Sequence, residues 1–340
     1  MTSPARARAI GMLFVKIALT VAVLLAVTWT FDFRAALRLL SSVTWVTIAA
    51  CVAIQLCQSW IAGVRLSEVV SLFGTRLSVG LSARITLESM FFNQAFISFI
   101  GGDAFRVWRL RNARVPIIDA TSAIVLDRIV GVMGNHLVFV ALLPLVFGHI
   151  ASATIQYGLV LLAAGGIGGI ALVLALGLLG RQGRLLRLLP MQWRESRIFL
   201  VLVDLTTVGR HILDNPRVTW RIFLMSALLA VMNCLLFFLI LRNWDIPTEL
   251  SLFCAAMVPG VMEIALAPVS VGGWGLREGV AVVGFGAVGL NSEFGLAASA
   301  AYGISGLAVG LLGGAAWLLE RSSQRSVSEQ LGVADKAPPT

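Results

Sequence analysis

Charge is what this chain has least of. Only 13% of its 340 residues are Asp, Glu, Lys or Arg, about half the share of a soluble domain. That excludes a cytosolic enzyme and a disordered chain. Cysteine is also scarce. Cys51, Cys57, Cys234 and Cys254 all lie in apolar runs and none forms a C-x-x-C, which excludes a disulfide scaffold and leaves small apolar fillers. Catalytic signatures are missing: no Asp-x-Asp, no H-E-x-x-H, and no serine in a nucleophile elbow. Their lack argues against an autonomous transferase, and no metal or cofactor is expected. His136 has no second histidine at ligand spacing and reads as a packed or cavity-lining residue, while His149 and His211 fall in loops. Gly165–Gly169 and Gly310–Gly314 sit in apolar segments without acids or lysine, so they read as close helix packing and not as nucleotide loops.

What is abundant is apolar surface. Hydrophobic residues make up 58% of the chain, and mean hydropathy is +0.91. A soluble fold of this length could not bury that much, so the chain uses lipid as a solvent. Runs of about 20 apolar residues mark membrane spans. Ile10–Phe31, preceded by Arg6 and Arg8, reads as a retained first span and not a cleaved signal. Val43–Ala62, Ser82–Ile100, Ala120–Phe147, Ala153–Leu179 and Trp220–Leu241 follow. Leu250–Val271 and Val280–Leu290 flank a glycine cluster, and Phe294–Leu319 is last. The fold class expected is all-α and polytopic, with about eight membrane segments. Residues 1–320 form one transmembrane domain, and 321–340 a disordered cytoplasmic tail.

The net charge of +9 would suggest nucleic acid in a soluble protein. Here most of it is arginine in short loops, so topology explains it better and no nucleic-acid partner is expected. The long polar connection 181–217 carries Arg181, Arg184, Arg187, Arg194, Arg197, Arg210 and Arg217, which places it in the cytoplasm together with both termini. Within it, Ile198, Leu202, Leu205 and Val208 recur at helical spacing. They predict an amphipathic helix lying on the membrane surface or packed on the bundle. Arg65, Arg76 and Arg84 before residue 100, and Arg106, Arg109, Arg111 and Arg114 after it, want the same side. The simplest solution is a hairpin, with residues near 80–117 entering from the cytoplasm and returning to it. Loops 32–42, 148–152 and 242–249 then fall outside and carry only Arg34, Arg38 and Arg242. Trp29, Trp45, Trp193, Trp220, Trp244 and Trp317 fall near span ends, as an aromatic belt requires.

An internal repeat is visible. Residues 98–106 read S-F-I-G-G-D-A-F-R and 270–277 read S-V-G-G-W-G-L-R. Each has a Gly-Gly with an arginine four residues beyond it: Gly101-Gly102 with Arg106, and Gly272-Gly273 with Arg277. Parity opens the second hairpin to the opposite face. Inverted repeats with glycine-broken segments point to a transport site near the midplane. Asp127, Arg128 and Glu263 lie deep in apolar runs, and Asp103, Arg106, Arg277 and Glu278 lie at the turns. Uncompensated, such charges cost on the order of 10 kcal/mol together. Asp127 and Arg128 sit about 100° apart on one helix and need partners elsewhere. Arg277 or Arg106 is available to Asp127, and Glu263 or Glu278 to Arg128. Two readings stand: ion pairs that fix helix register, or an arginine-lined cavity for a phosphate-bearing headgroup.

Taken in order, Arg65, F-F-N-Q-A-F-I-S-F-I-G-G-D-A-F-R at 91–106, L-D-R-I-V-G at 126–131 and A-P-V-S-V-G-G-W-G-L-R-E at 267–278 form a pattern. It resembles the lysylphosphatidylglycerol synthase transmembrane-domain, or flippase-like, family over roughly residues 35–320. The resemblance marks Arg65, Asn93, Gly101, Gly102, Asp103, Arg106, Asp127, Arg128, Pro268, Gly272, Gly273, Gly275, Arg277 and Glu278 as motif positions. One departure is that relatives often carry a proline just ahead of the first Gly-Gly, where this chain has Phe96 and Ile97. Only residues 321–340 follow the last span, so the resemblance implies the lipid-translocating half without the synthase's soluble aminoacyl-transfer domain. Stand-alone relatives are associated with hopanoid, glycolipid or polyprenyl-linked pathways. The expected function is a lipid translocase of a bacterial inner membrane, with membrane lipids as partners and Glu263 among the headgroup residues. The alternatives are a membrane-embedded transferase, with Asp103, Glu263 or Glu278 as base, and a non-catalytic subunit for a lipid-modifying enzyme.

Overall fold

A computed structural model describes residues 33–95, 100–148, 150, 152–181, 197–255 and 276–330. Its described helices are α1 Phe33–Ser42, α2 Trp45–Ser71, α3 Val79–Ala95, α4 Ile100–Asn112, α5 Ile117–Phe147, α6 Ala153–Arg181, α7 Arg197–Asp214, α8 Pro216–Leu241, α9 Leu276–Gly286 and α10 Ser292–Gln330. Residues 248–255 are helical as well. Five of these, α2, α5, α6, α8 and α10, are long and apolar enough to cross a membrane. The expected span at Ile10–Phe31 lies outside the described residues, as do most of Leu250–Val271 and residues 182–196 of the polar connection.

Two expected spans fall on described helices shorter than a crossing. Ser82–Ile100 falls largely on α3, a helix of 17 residues, and Val280–Leu290 on α9, one of 11. At 1.5 Å per residue these measure about 26 and 17 Å, against a hydrocarbon core of about 30 Å. Helix α2 runs to Ser71, nine residues past the predicted end at Ala62, because Arg65 is neutralised inside the protein and does not terminate it. Helix α10 runs to Gln330, so the first half of the expected tail is helical. Residues 321–330 contain no proline or glycine to stop it.

Each turn has a local cause. The Thr44 hydroxyl caps α2 by accepting from the Thr47 amide, and Pro216 opens α8 at its first turn. Helices α4 and α9 end alike, in a residue with positive φ, Arg114 and Gly289. In each case the next amide reaches back five residues, Val115 to Leu110 at 3.0 Å and Leu290 to Phe285 at 3.1 Å. This is the Schellman arrangement.

The ends of the helices sort onto two faces. On one, Arg109 of α4 and Arg84 of α3 reach Glu320 of α10, Arg221 of α8 approaches Glu68 of α2, and Phe73 lies against His211 of α7. On the other, the Thr44 amide donates to Asn243 at 3.1 Å, Trp244 bonds to Leu39 and Ser42, and Trp244 packs on Phe294. The first face holds Arg76, Arg111, Arg114 and Arg217; the second holds Arg34, Arg38 and Arg242. Both ends of the α3–α4 unit lie on the arginine-rich face. The start of the 248–255 helix and the end of α9 lie on the opposite one.

Two apolar clusters fill the bundle. One, near the arginine-rich face, joins Leu66, Val70, Ile85, Leu126, Val208 and Ile222. The other, towards the opposite face, joins Phe139, Phe237, Ile240, Phe253, Phe285 and Ala301. Helix α7 is packed on the bundle, the second of its two expected placements. Val208 and Ile212 enter the first cluster, and Gly209 meets Gly177 of α6 backbone to backbone. Gly310 and Gly314 do seat another helix, with Met90 and Phe91 of α3 against them. Gly165 and Gly169 do not, because no other part of the described chain approaches either one. Helix α6 lies at the rim of the bundle and turns that face outward. Of the tryptophans, Trp45 and Trp220 are exposed, whereas Trp244 and Trp317 are held by internal partners.

Candidate functional site

Helices α3 and α4 form an antiparallel hairpin. Asn93 meets Gly102, Ser89 meets Arg106, and Glu88 meets Arg109, so one index rises as the other falls. Gly102 makes this possible, since a Cβ there would strike the Asn93 side chain. The hairpin delivers Asp103 and Arg106 to the flank of α5, where Asp127 and Arg128 wait.

Asp127 is the centre. Its Oδ1 accepts from Arg65 Nε at 2.8 Å, and its Oδ2 from Arg65 Nη2 at 3.2 Å and Arg106 Nη1 at 3.3 Å. Arg65 also donates to Ser226 Oγ at 2.9 Å, and Arg106 to Ser89 Oγ at 2.9 Å. All three charged residues are buried. Asp127 lies ten residues into α5, about 15 Å along its axis. The adjacent residue points elsewhere: Arg128 makes a two-pronged pair with Asp103, Nε to Oδ2 at 2.8 Å and Nη2 to Oδ1 at 2.9 Å. This second pair is half-open, with the arginine side chain 40% exposed and the aspartate 24%. Three arginines thus face two aspartates, one positive charge in excess, with a buried side and an open side.

Of the partners expected for Asp127, Arg106 is present and Arg277 is not. Arg128 takes Asp103, which lies three residues before Arg106 on the same hairpin arm, and not Glu278. Arg277 is elsewhere. It donates to its own neighbour Glu278 at 2.7 Å and to Ser299 of α10 at 2.9 Å. Gly303 leaves room for its guanidinium, which stacks over Tyr302. Adjacent residues pair here because Arg277 sits in the first turn of α9, where its side chain can fold back. Gly101 belongs to the first turn of α4. Glu263, Pro268, Gly272, Gly273 and Gly275 lie outside the described residues.

The role of Glu88 and most of a polar layer were not expected from the sequence. Glu88 of α3 is fully buried and pairs with Arg84 at 3.0 Å and with Arg109 at 3.1 Å. Arg109 also holds Glu320 at 2.6 Å. The second group is a layer between the two apolar clusters. Gln58 donates to Asn233 at 2.9 Å, Gln55 to Ser305 at 2.9 Å, and His136 Nε2 lies 2.9 Å from the Ala163 carbonyl. Ser59 Oγ and Asn93 Oδ1 are buried at this level without a hydrogen-bond partner in the protein, as groups facing ordered water are.

Long apolar helices around ionic groups define a multi-pass α-helical membrane protein. Residues 13–314 match the family described as the lysylphosphatidylglycerol synthase transmembrane region, and the chain belongs to it. A comparison with curated proteins finds no match.

Proposed function

We propose that the protein translocates a lipid with a phosphate-bearing or otherwise polar headgroup across a bacterial inner membrane. The observation that carries this reading is the cluster of Arg65, Arg106, Arg128, Asp103 and Asp127. It has an excess positive charge, guanidinium geometry suited to phosphate oxygens, and one open side. A cluster that served only to fix helix register would gain nothing from a half-exposed pair at this depth. Arg277 and Glu278, with Asn93 beside the first hairpin, form the rest of the candidate path. Gly101 and Gly102, together with the second glycine cluster, are its hinges.

The order span, short helices, span occurs twice among the described residues: α2, α3 and α4, α5, and then α8, the helices at 248–255 and 276–286, α10. Helices α4 and α9 end in the same backbone cap on opposite faces, which supports an inverted repeat with alternating access. The arginine-rich face is cytoplasmic by the charge rule, which puts both termini inside. The polar head crosses while its tails stay in lipid, and movement is downhill or coupled to an ion gradient.

The test is reconstitution into liposomes holding a panel of fluorescent lipids, scored by quencher access to the inner leaflet. Wild type is expected to move one lipid class, and Arg106→Gln and Arg277→Gln to lose that movement without altering the lipid. A correctly folded protein that moves none of them would refute the proposal.

A further inference from the structure

The face opposite the arginine-rich one has few cations, and two of them share one short helix. Arg34 and Arg38 stand on α1, where the charge rule leaves little positive charge. Helix α1 is amphipathic. Arg34, Leu37, Arg38 and Ser41 are exposed, and their spacing of three and four residues sets them on one stripe. The other side of the helix is docked. Ala36 is buried with Val282 of α9 and Leu296 of α10, and Leu40 packs on the apolar cluster nearest this face. The Trp244 indole N–H donates to the Leu39 carbonyl at 3.1 Å and to Ser42 Oγ at 3.0 Å. These contacts hold the Arg38 stripe outward.

The same contacts set its level. Leu296 is four residues into α10, about 6 Å along the axis. Trp45 and Val46, which open the α2 span, are exposed, and an exposed tryptophan at a span end marks the headgroup level. Helix α1 therefore lies in the interface, where Leu37 and Arg38 both suit the surroundings of one stripe. Arg34 has a further interaction within the protein. The Arg38 guanidinium makes one hydrogen bond among the described residues, Nε to the Arg34 carbonyl at 3.4 Å, and no carboxylate there pairs with it. Its charge is left to whatever anion the interface supplies.

We infer that α1 is a docking helix for the phosphate of a lipid in the leaflet on that face. The guanidinium fork of Arg38 matches phosphate oxygens, Leu37 and Trp45 border the glycerol level, and the acyl chains run on into hydrocarbon. The place of α1 over the second buried arginine favours this. Val282 lies five residues beyond Arg277 on α9, and Leu296 three residues before Ser299 on α10, about 7.5 and 4.5 Å outward along the two helices. Ala36 thus holds α1 about one turn outward of the Arg277–Glu278–Ser299 group. The docking helix rests on the translocase reading above and names where the headgroup is met at that end of its path.

The test uses the full chain in phosphatidylcholine nanodiscs doped with phosphatidic acid that carries a diazirine near the carboxyl end of one acyl chain, so that labelling reports the glycerol level. After illumination, labelled peptides are mapped. Labelling is expected to concentrate on residues 34–46. Arg38→Gln, at an exposed position, should lower it about fivefold, the ~1 kcal/mol that one arginine contributes near an anionic surface. Arg217→Gln, on the arginine-rich face, should leave it unchanged. Diacylglycerol with the same diazirine should label the segment weakly, and inorganic phosphate should compete poorly because it lacks the chains. Labelling spread evenly around the bundle, or unmoved by Arg38→Gln, overturns the docking helix even if liposomes show transport. Diacylglycerol labelling as strongly as phosphatidic acid overturns its phosphate contact, and full displacement by inorganic phosphate overturns the lipid as its ligand. If labelling behaves as expected but liposomes show no transport, the helix stands as a lipid site and the translocase reading falls.

Discussion

Asp127→Asn is the perturbation that separates the buried half of the cluster from the open half. The Asp127 side chain is 2% exposed, and its two arginine partners are 10% and 11% exposed. The amide has the carboxylate's shape, but it removes the negative charge and turns one acceptor into a donor facing guanidinium donors. Two buried cations are then left with neutral oxygens at best. Breaking a buried pair in this way costs about 3–5 kcal/mol, at least a fifth of a typical folding free energy of about 5–15 kcal/mol. Asp103→Asn makes the same chemical change in a pair that is half-open, and there the loss should be smaller. The assay is reversible denaturant unfolding in detergent micelles for both variants, with Arg65→Gln completing a double-mutant cycle. A coupling energy above about 0.5 kcal/mol between Arg65 and Asp127 is expected. Equal losses for Asp127→Asn and Asp103→Asn, or no coupling in the cycle, would refute the division into a buried and a half-open pair.

Three further outcomes are expected. Gly63→Ala should destabilise by about 1–3 kcal/mol, because its new Cβ meets the Ala83 backbone, whereas Gly165→Ala, with open space around it, should be neutral or slightly stabilising in thermal unfolding. Glu320→Gln should free the end of α10 from Arg84 and Arg109, which would speed maleimide labelling of a cysteine placed at Ala316 relative to the parent cysteine variant. Burial, with Arg210 beside it, holds His211 below the ordinary histidine value. The unfolded chain therefore binds the proton first, so the α7–α2 contact is strongest above about pH 6.5 and weakens as pH falls through the folded value. His211→Phe should flatten that slope in thermal unfolding measured from neutral to mildly acidic pH.

How much of this was legible in the sequence follows from what each signal depends on. Long apolar runs need no partner to be read, so α5, α6, α8 and α10 were visible with small errors at their ends. The hairpin was visible through charge parity, because arginines on both sides of residue 100 demand one face. Partner choice was visible only in part: Arg106 was offered to Asp127, but Arg65 and Asp103 were not offered as partners. Which acid meets Arg128 depends on where α4 lies against α5, and α4 is brought there by a hairpin closed on Gly102 seating Asn93, a packing detail with no periodicity. The role of Glu88 was hidden for a related reason. Its neighbour Arg84 stands one turn away and would satisfy it on any isolated helix. The link to Arg109 and Glu320 exists only once α3, α4 and α10 come together. The Gln55–Ser305 and Gln58–Asn233 bonds span most of the chain, and each residue alone looks like an ordinary interruption of an apolar run.

The exposures of the ion pairs also decide how the first hairpin can move. Helix α10 is held near one end by Arg277 and Ser299 and at the other by the Arg84–Glu88–Arg109–Glu320 group. The alternating access proposed above would require the hairpin to shift against α10, so that some of these contacts part. Glu88 is fully buried between two arginines, and stripping it of both would leave a bare charge in the protein, at a cost of about 3–5 kcal/mol. Glu320 is 20% exposed and Arg84 41%, so water can replace one for the other at little cost. The separation therefore falls between Glu320 and the hairpin, and Glu88 travels with Arg84 and Arg109 as part of a rigid α3–α4 unit. Below that break, Phe92 lies against Trp317 through a ring edge while stacking on Phe105. The same division holds one layer deeper: the hairpin keeps its internal stack and gives up its contact with α10. Inside the hairpin, Ser89 to Arg106 and Asn93 to Gly102 would be unaffected by that separation, so Arg106 would keep its geometry.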